Sequence, residues 1–213
     1  MLNGKNYELF LNRLIDIIIS VLFIIIFSPI YVVVAFLIWK EDHYSPIYSH
    51  IRIGRGKVPF KFYKFRSMVA NADDIIKKDL ALYTKLRSGN NKAIDDPRIT
   101  KIGRFIRKYS IDEFPQMFNI LKGDMSVVGP RALRPDEMKL FEERNPQNLA
   151  KTDIITKVRP GLTGYWQVNG RSDIDFDKRM DMDVYYAEKK SLMLDLEIMI
   201  KTPMAILSGK GSY

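Results

Sequence analysis

Three groups of residues in this 213-residue chain are of types that could do chemistry on a phosphate. The first is Asp112-Glu113 in YSIDEFPQMFNILKGD. Ser110, followed three residues later by Glu113, reads as a capping box. The two acids would then open a helix with an apolar side of Phe114, Met117, Phe118 and Leu121, stopped at Gly123. Acids at a helix start can simply complement the helix dipole. The same position would also lower a carboxylate's pKa, keep it ionised and offer backbone N–H groups to a phosphate. A carboxylate nucleophile needs that setting.

The second group is cationic. Lys64 and Arg66 in KFYKFRSM share a strand face with Phe60 and Phe62 by the two-residue period. That pair could converge on a phosphate or form a solvated face. Arg131 and Arg134 lie between Pro130 and Pro135 in VVGPRALRP, after a short apolar strand. Arginine offers a fixed fork to phosphate oxygens, and the prolines stiffen the loop. Arg107 sits with Arg104 and Lys108 on the basic back of ITKIGRFIRKY, an amphipathic helix with Ile102, Phe105, Ile106 and Tyr109 on its other side. The third group is VRPGLTGYWQVNGR, with three glycines, Trp166 and Arg171. This is poor helix material and reads as a loop over a ligand.

These groups need elements to position them. Ile17 to Ile38 carries no charge, and as a straight helix would reach about 33 Å, close to a bilayer core. Ser28-Pro29 interrupts it near its midpoint. Proline has no N–H for the carbonyl of Ile25, and Ser28 can bond back to Ile24. A kinked span and a re-entrant hairpin both fit. Basic residues flank the run on both sides, which suits a hairpin whose ends share one anionic surface. IYSHIRIGRGKVPFKFYKFRSM reads as two strands around Gly54-Arg55-Gly56. Residues 70–87 read as a polar helix. SLMLDLEIMIKTPMAIL reads as a final amphipathic helix, core-packed or interfacial, bent near Pro203.

Lys and Arg outnumber Asp and Glu by 34 to 25, a net charge of +9 that points to an anionic partner. With no cysteine, disulfides and thiolate metal sites are excluded. His43 and His50 have no ligand pattern around them.

Ser28-Pro29, KFRSM, DPRITKIGRFIRKYSIDEFPQMFNILKGDMSVVGPRALRP and RPGLTGYWQVNGR occur in this order over most of the chain. Together they resemble the bacterial sugar transferases, the monotopic phosphoglycosyl transferase family, in its short catalytic-core form. The resemblance implies a membrane hairpin over residues 1–40. It also implies an α/β catalytic domain over 41–213, a small mixed helical domain with a β-hairpin and interfacial helices, on the cytoplasmic face of the inner membrane. It implies transfer of a sugar-1-phosphate from a UDP-sugar to polyprenyl (undecaprenyl) phosphate, releasing UMP and opening synthesis of a surface glycoconjugate. A hexose such as galactose or glucose is favoured. Asp112 would be the nucleophile that forms a phosphosugar intermediate, and Mg²⁺ would be required. Ser28-Pro29 would break the helix into the hairpin.

Asp112 and Glu113 are then the expected metal ligands, with Glu113 foremost, since Mg²⁺ takes one or two carboxylates plus phosphate oxygens. Lys64, Arg66, Arg107, Arg131 and Arg134, with Pro130 and Pro135, are expected at the phosphates. Trp166, Tyr165 and Arg171 are expected at the base or sugar. Asp173, Asp175, Asp177, Asp181 and Asp183 read as a solvated face, or with Asp181 or Asp183 near the sugar. Membrane phospholipid is an expected partner, a homodimer is the commonest oligomer, and no nucleic acid is expected. Two rivals remain: a glycosyltransferase that releases UDP, and a non-enzymatic basic protein on a membrane surface. A glycosidase needs two carboxylates on opposite sides of a bond, which neighbours in sequence seldom provide.

Overall fold

The computed structural model describes residues 4–72, 74–75, 96–170 and 174–207. The fold is mixed α/β and mostly helical, with two small sheets and one long apolar N-terminal helix. In chain order the elements are α1 (Gly4–Asp42), β1 (Ile47–Ile53), a 3₁₀ turn (Arg55–Lys57) and β2 (Pro59–Phe65). Then come α2 (Lys101–Lys108), a second 3₁₀ turn (Ile111–Glu113), α3 (Gln116–Lys122), β3 (Ser126–Val128), α4 (Pro135–Arg144) and α5 (Pro146–Ile155). The described residues end with β4 (Gly161–Thr163), α6 (Tyr165–Val168), α7 (Phe176–Lys189) and α8 (Leu192–Leu207). β1 pairs with β2, as the Gly54-Arg55-Gly56 turn predicts.

The chain forms two compact units. The first comprises Met1–Phe27, Ser49–Tyr63 and Gln116–Gly211. At its centre β3 lies parallel to β4, with Ser126 opposite Gly161 and Val128 opposite Thr163. The crossing beyond β3 is so tight that a Cβ on Gly161 would lie 2.0 Å from the Gly129 nitrogen. Only glycine fits there, and the Gly161 N–H donates to the Pro130 carbonyl at 2.9 Å. That bond fixes the start of the Pro130–Pro135 loop. Phe60, Phe62, Met117, Ile120, Val127, Val128, Tyr186 and Ile198 form the core around this pair. Tyr186 Oη meets the Val128 carbonyl at 3.1 Å and Asp195 Oδ1 at 2.6 Å, and Lys190 Nζ donates to Asp195 at 2.8 Å.

The first part of α1 docks onto this core through Ile19, Phe23 and Ile24. Two polar residues fix the docking. Arg13 donates to the Ile120 and Leu121 carbonyls at the end of α3, at 2.6 and 2.7 Å. Asp16, buried, accepts from Ser126 Oγ at 2.9 Å and from the Val127 N–H at 2.8 Å.

The second unit takes in the described residues of Ser28–Tyr48 and Lys64–Pro115. Val34 and Ile38 of α1 pack with Phe65 and Ile106, and Tyr31 donates to the Phe114 carbonyl. Thr100 caps α2, accepting from the Gly103 N–H at 2.9 Å.

Four expectations are corrected. The break at Ser28-Pro29 does not divide the helix: α1 keeps helical backbone from Gly4 to Asp42 with Pro29 inside it. One proline removes one backbone bond, and the turns on either side hold the helix. The first boundary between units nonetheless falls at Phe27/Ser28. Second, β2 does not keep one period. Phe60 and Phe62 are buried, and then the alternation shifts so that Phe65 is buried while Lys64 is only partly so. Third, VRPGLTGYWQVNGR is not all loop, since it holds β4 and the one-turn α6. Fourth, the apolar side of ITKIGRFIRKY divides. Ile102 and Ile106 pack inward, whereas Phe105 and Tyr109 are exposed with their rings 5.0 Å apart. The predicted polar helix over 70–87 lies mostly outside the described residues.

Candidate active site

The acidic pair does not open a long helix. It lies in the 3₁₀ turn Ile111–Glu113, and α3 begins only at Gln116. Ser110 makes no side-chain cap. It adopts the left-handed conformation at φ 55°, ψ 22°. A non-glycine residue held there stores strain of about 1–2 kcal/mol, a feature common at functional sites. Glu113 therefore turns away from Ser110 and toward β2. Lys64 Nζ donates to Glu113 Oε1 at 2.7 Å and lies 3.4 Å from Asp112 Oδ2. One ammonium is thus shared by two adjacent carboxylates.

Burial differs within the pair: 11% of the Asp112 side chain is exposed, against 33% for Glu113. That decides which carboxylate can take a solvated ion and which stays dry. Burial raises the Asp112 pKa, opposite to the shift that a helix start predicts. Lys64 and Arg107 oppose the rise and Glu113 adds to it. A desolvated carboxylate beside cations is poorly solvated and ready to attack an electrophile. Arg107 is half-buried, and its Nη1 has no hydrogen-bond partner among the described residues. It remains a donor available to an anion.

Arg66 has another role. Its guanidinium is bound on both arms by Asp42, with Nη2 to Oδ1 at 2.6 Å. It also donates to the carbonyls of Ser45, Tyr44 and Met68. All its donors are taken, so Arg66 ties the chain after β2 to the end of α1. The i,i+2 spacing suggests a pair with Lys64, but the shifted alternation of β2 separates their tasks.

A second constellation lies within the first unit. Arg131 follows Pro130, and its backbone N–H donates to Asp183 Oδ2 at 3.3 Å. Its guanidinium carbon stands 5.8 Å from the centre of the Trp166 ring. Arg179, on α7, stands 5.4 Å from the same ring and 4.7 Å from Phe176. Asp183, one turn further along α7, is buried, and burial pushes its pKa up to about 7. Burial and the like charge of Arg131 bring Arg179 down to about 10. From below, Arg52 braces the loop, donating to the Ala132 carbonyl at 2.9 Å and to Glu137 at 3.2 Å.

The remaining expected residues are placed as follows. Arg134 precedes α4 and pairs with Asp136 and Glu137 at 3.2 and 3.5 Å, and Pro135 is the first residue of that helix. Arg171 and Asp173 lie outside the described residues. Asp175 caps α7, accepting from the Lys178 N–H. Asp177 and Asp181 make exposed pairs with Arg144 and Lys151. Of the Asp181 and Asp183 alternatives, Asp183 is the one buried beside the arginines. Sequence reasoning missed Arg179 and the bracing by Arg52. Arg179 follows Lys178 in a charged stretch that reads as solvated, and only the i,i+4 spacing to Asp183 hints at a shared face.

The sequence matches the bacterial sugar transferase family over residues 7–209. It is 41% identical over 213 residues to an undecaprenyl-phosphate galactose phosphotransferase of Salmonella typhimurium, covering 99% of this chain and 43% of that protein. It is 42% identical over 206 residues to an uncharacterized sugar transferase of Haemophilus influenzae, covering 95% of this chain and 42% of that protein. An exopolysaccharide production protein of Sinorhizobium fredii is 38% identical over 206 residues, covering 95% of this chain and 88% of the relative. The chain thus spans about two fifths of the length of the first two.

Proposed function

The chain belongs to the bacterial sugar transferase family, and from that premise we propose that it moves a sugar-1-phosphate from a UDP-sugar to undecaprenyl phosphate. A hexose such as galactose is favoured, in keeping with the phosphotransferase named for the Salmonella relative. The observation that carries the reading is the buried Asp112 carboxylate in a strained turn, sharing Lys64 with Glu113.

In the first step an Asp112 oxygen attacks the phosphorus that bears the sugar. The bond from that phosphorus to the bridging oxygen breaks, and UMP leaves with the electron pair. In the second step an oxygen of the lipid phosphate attacks the same phosphorus and frees Asp112. The product is a polyprenyl diphosphate sugar. Lys64 and Arg107 offset the charge of the attacking carboxylate and the incoming phosphates. Within the first unit, Arg131 beside Trp166 offers a separate set of anion donors.

The oxygen donors suit a hard cation. Glu113, the more exposed carboxylate, would hold Mg²⁺ with Asp112 beside it, and the bound ion would neutralise diphosphate charge. α1 is long and apolar enough to cross a bilayer by length and composition. We place this helix as a membrane anchor, with the rest of the chain on the cytoplasmic side of the inner membrane. A homodimer on the phospholipid surface fits this placement.

The test is to incubate purified protein with UDP-galactose or UDP-glucose and Mg²⁺, and no acceptor. The reading predicts about one equivalent of UMP per chain, with a phosphohexose on the peptide containing Asp112. No UMP and no adduct under these conditions, with UDP released only once an acceptor lipid phosphate is added, would assign a sugar-only transfer instead.

A further inference from the structure

Buried polar atoms in native proteins are nearly all hydrogen-bonded. Within the first unit, four that have no partner among the described residues gather in one place: Arg131 Nε, Trp166 Nε1, Arg179 Nε and Asp183 Oδ1. They are linked geometrically. Both guanidinium carbons lie within 6 Å of the Trp166 ring centre, at 5.8 and 5.4 Å. Asp183 is 1% exposed, and its other oxygen is engaged by the Arg131 N–H. A purely structural network in this position would close on itself, with each arginine on a carboxylate. Here two like charges are held side by side against an aromatic ring, with the buried carboxylate committed to backbone through only one oxygen. Two guanidinium groups with free N–H donors call for phosphate oxygens. A free buried carboxylate oxygen calls for a hydroxyl donor. A phosphorylated sugar supplies both within one small molecule.

We propose that Arg179 is a sugar-phosphate-binding residue of the first unit. With Arg131 it grips the phosphate of a sugar phosphate over Trp166, while a sugar hydroxyl donates to Asp183 Oδ1. This deepens the transfer reading and rests on it for the identity of the phosphate. It also gives α7 a task in sugar selection, since Asp183 meets the sugar and Arg179 meets the charge.

The chain has two tryptophans, so in a Trp39→Phe background Trp166 is the sole indole reporter. The experiment titrates the full chain in detergent with galactose-1-phosphate and, separately, with inorganic phosphate, following Trp166 emission. A saturable change is expected with galactose-1-phosphate. Arg179→Gln should weaken it by about tenfold or more. Arg179→Lys, which keeps the charge and loses the fork, should fall between. Asp183→Asn should weaken galactose-1-phosphate more than inorganic phosphate.

No response of Trp166 in the parent, or parent-like binding by Arg179→Gln, overturns the proposal. If Arg179→Gln does not fold, parent-like binding by Arg179→Lys overturns it. The two readings fail separately. A protein that releases no UMP but binds galactose-1-phosphate through Arg179 loses the transfer reading and keeps this site. Unchanged UMP release and donor KM in Arg179→Gln remove this site and leave the transfer.

Discussion

Lys64 Nζ stands 3.4 Å from Asp112 Oδ2 while donating to Glu113 at 2.7 Å. This one ammonium keeps a buried carboxylate usable, because burial and Glu113 both favour its protonated form. A carboxylate nucleophile must be ionised, so activity should fall as pH drops through a pKa above the ordinary aspartate value. Lys64→Met removes the opposing charge. It should move that acid limb upward and lower kcat by at least about a hundredfold. The kcat/KM profile against pH, for parent and variant, checks both.

Asp112→Asn should abolish transfer without loss of stability. A folded-state carboxylate with a raised pKa contributes stability that declines as pH rises from its unfolded pKa through its folded one. At neutral pH the ionised Asp112 therefore costs the fold, and the neutral isostere removes that cost while Lys64 keeps Glu113. The variant's melting midpoint should be no lower than the parent's at pH 7.5.

Asp183 gives a separate pH signature. Burial lifts it to about 7, with Arg131 and Arg179 and the Arg131 N–H opposing the rise. The native state then binds a proton that the unfolded chain has already lost. The contribution is full below about pH 4, declines as pH rises to about 7, and is absent above it. Thermal melts should show Asp183→Asn flattening this decline and raising the midpoint above pH 7, where the parent holds a buried charge.

Asp16 should prove structural. Replacing it by alanine leaves Ser126 Oγ and the Val127 N–H without their acceptor in a buried place. A loss of about 2–3 kcal/mol is expected, read as a fall of roughly 5–10 °C in the melting midpoint. Asp16→Asn keeps an acceptor oxygen and should lose less than half of that.

Much of the fold is legible in the residues. The apolar run of α1, the β1–β2 turn, the strand before Gly129-Pro130 and the stop at Gly123 follow from period and turn chemistry. The acidic pair is legible as a candidate, and its setting is not. Ser110 and Glu113 have the spacing of a cap, yet Lys64, far away in sequence, competes for Glu113 and wins with a charged hydrogen bond. Arg66 misleads for the same reason, since Asp42 is its partner and local spacing carries no trace of that pairing. Arg179 is hidden because one-dimensional charge patterns do not show which guanidinium rests on a tryptophan. Long-range polar pairing decides each of these cases, whereas apolar periodicity is local and can be read directly.

The most direct test of the account is the nucleotide released when detergent-solubilised protein turns over a UDP-hexose with undecaprenyl phosphate and Mg²⁺, with Asp112→Asn measured in parallel. The account predicts UMP from the parent, at least about a thousandfold less from the variant, and a lipid diphosphate sugar as co-product. UDP as the released nucleotide, or UMP released equally by Asp112→Asn, would contradict it.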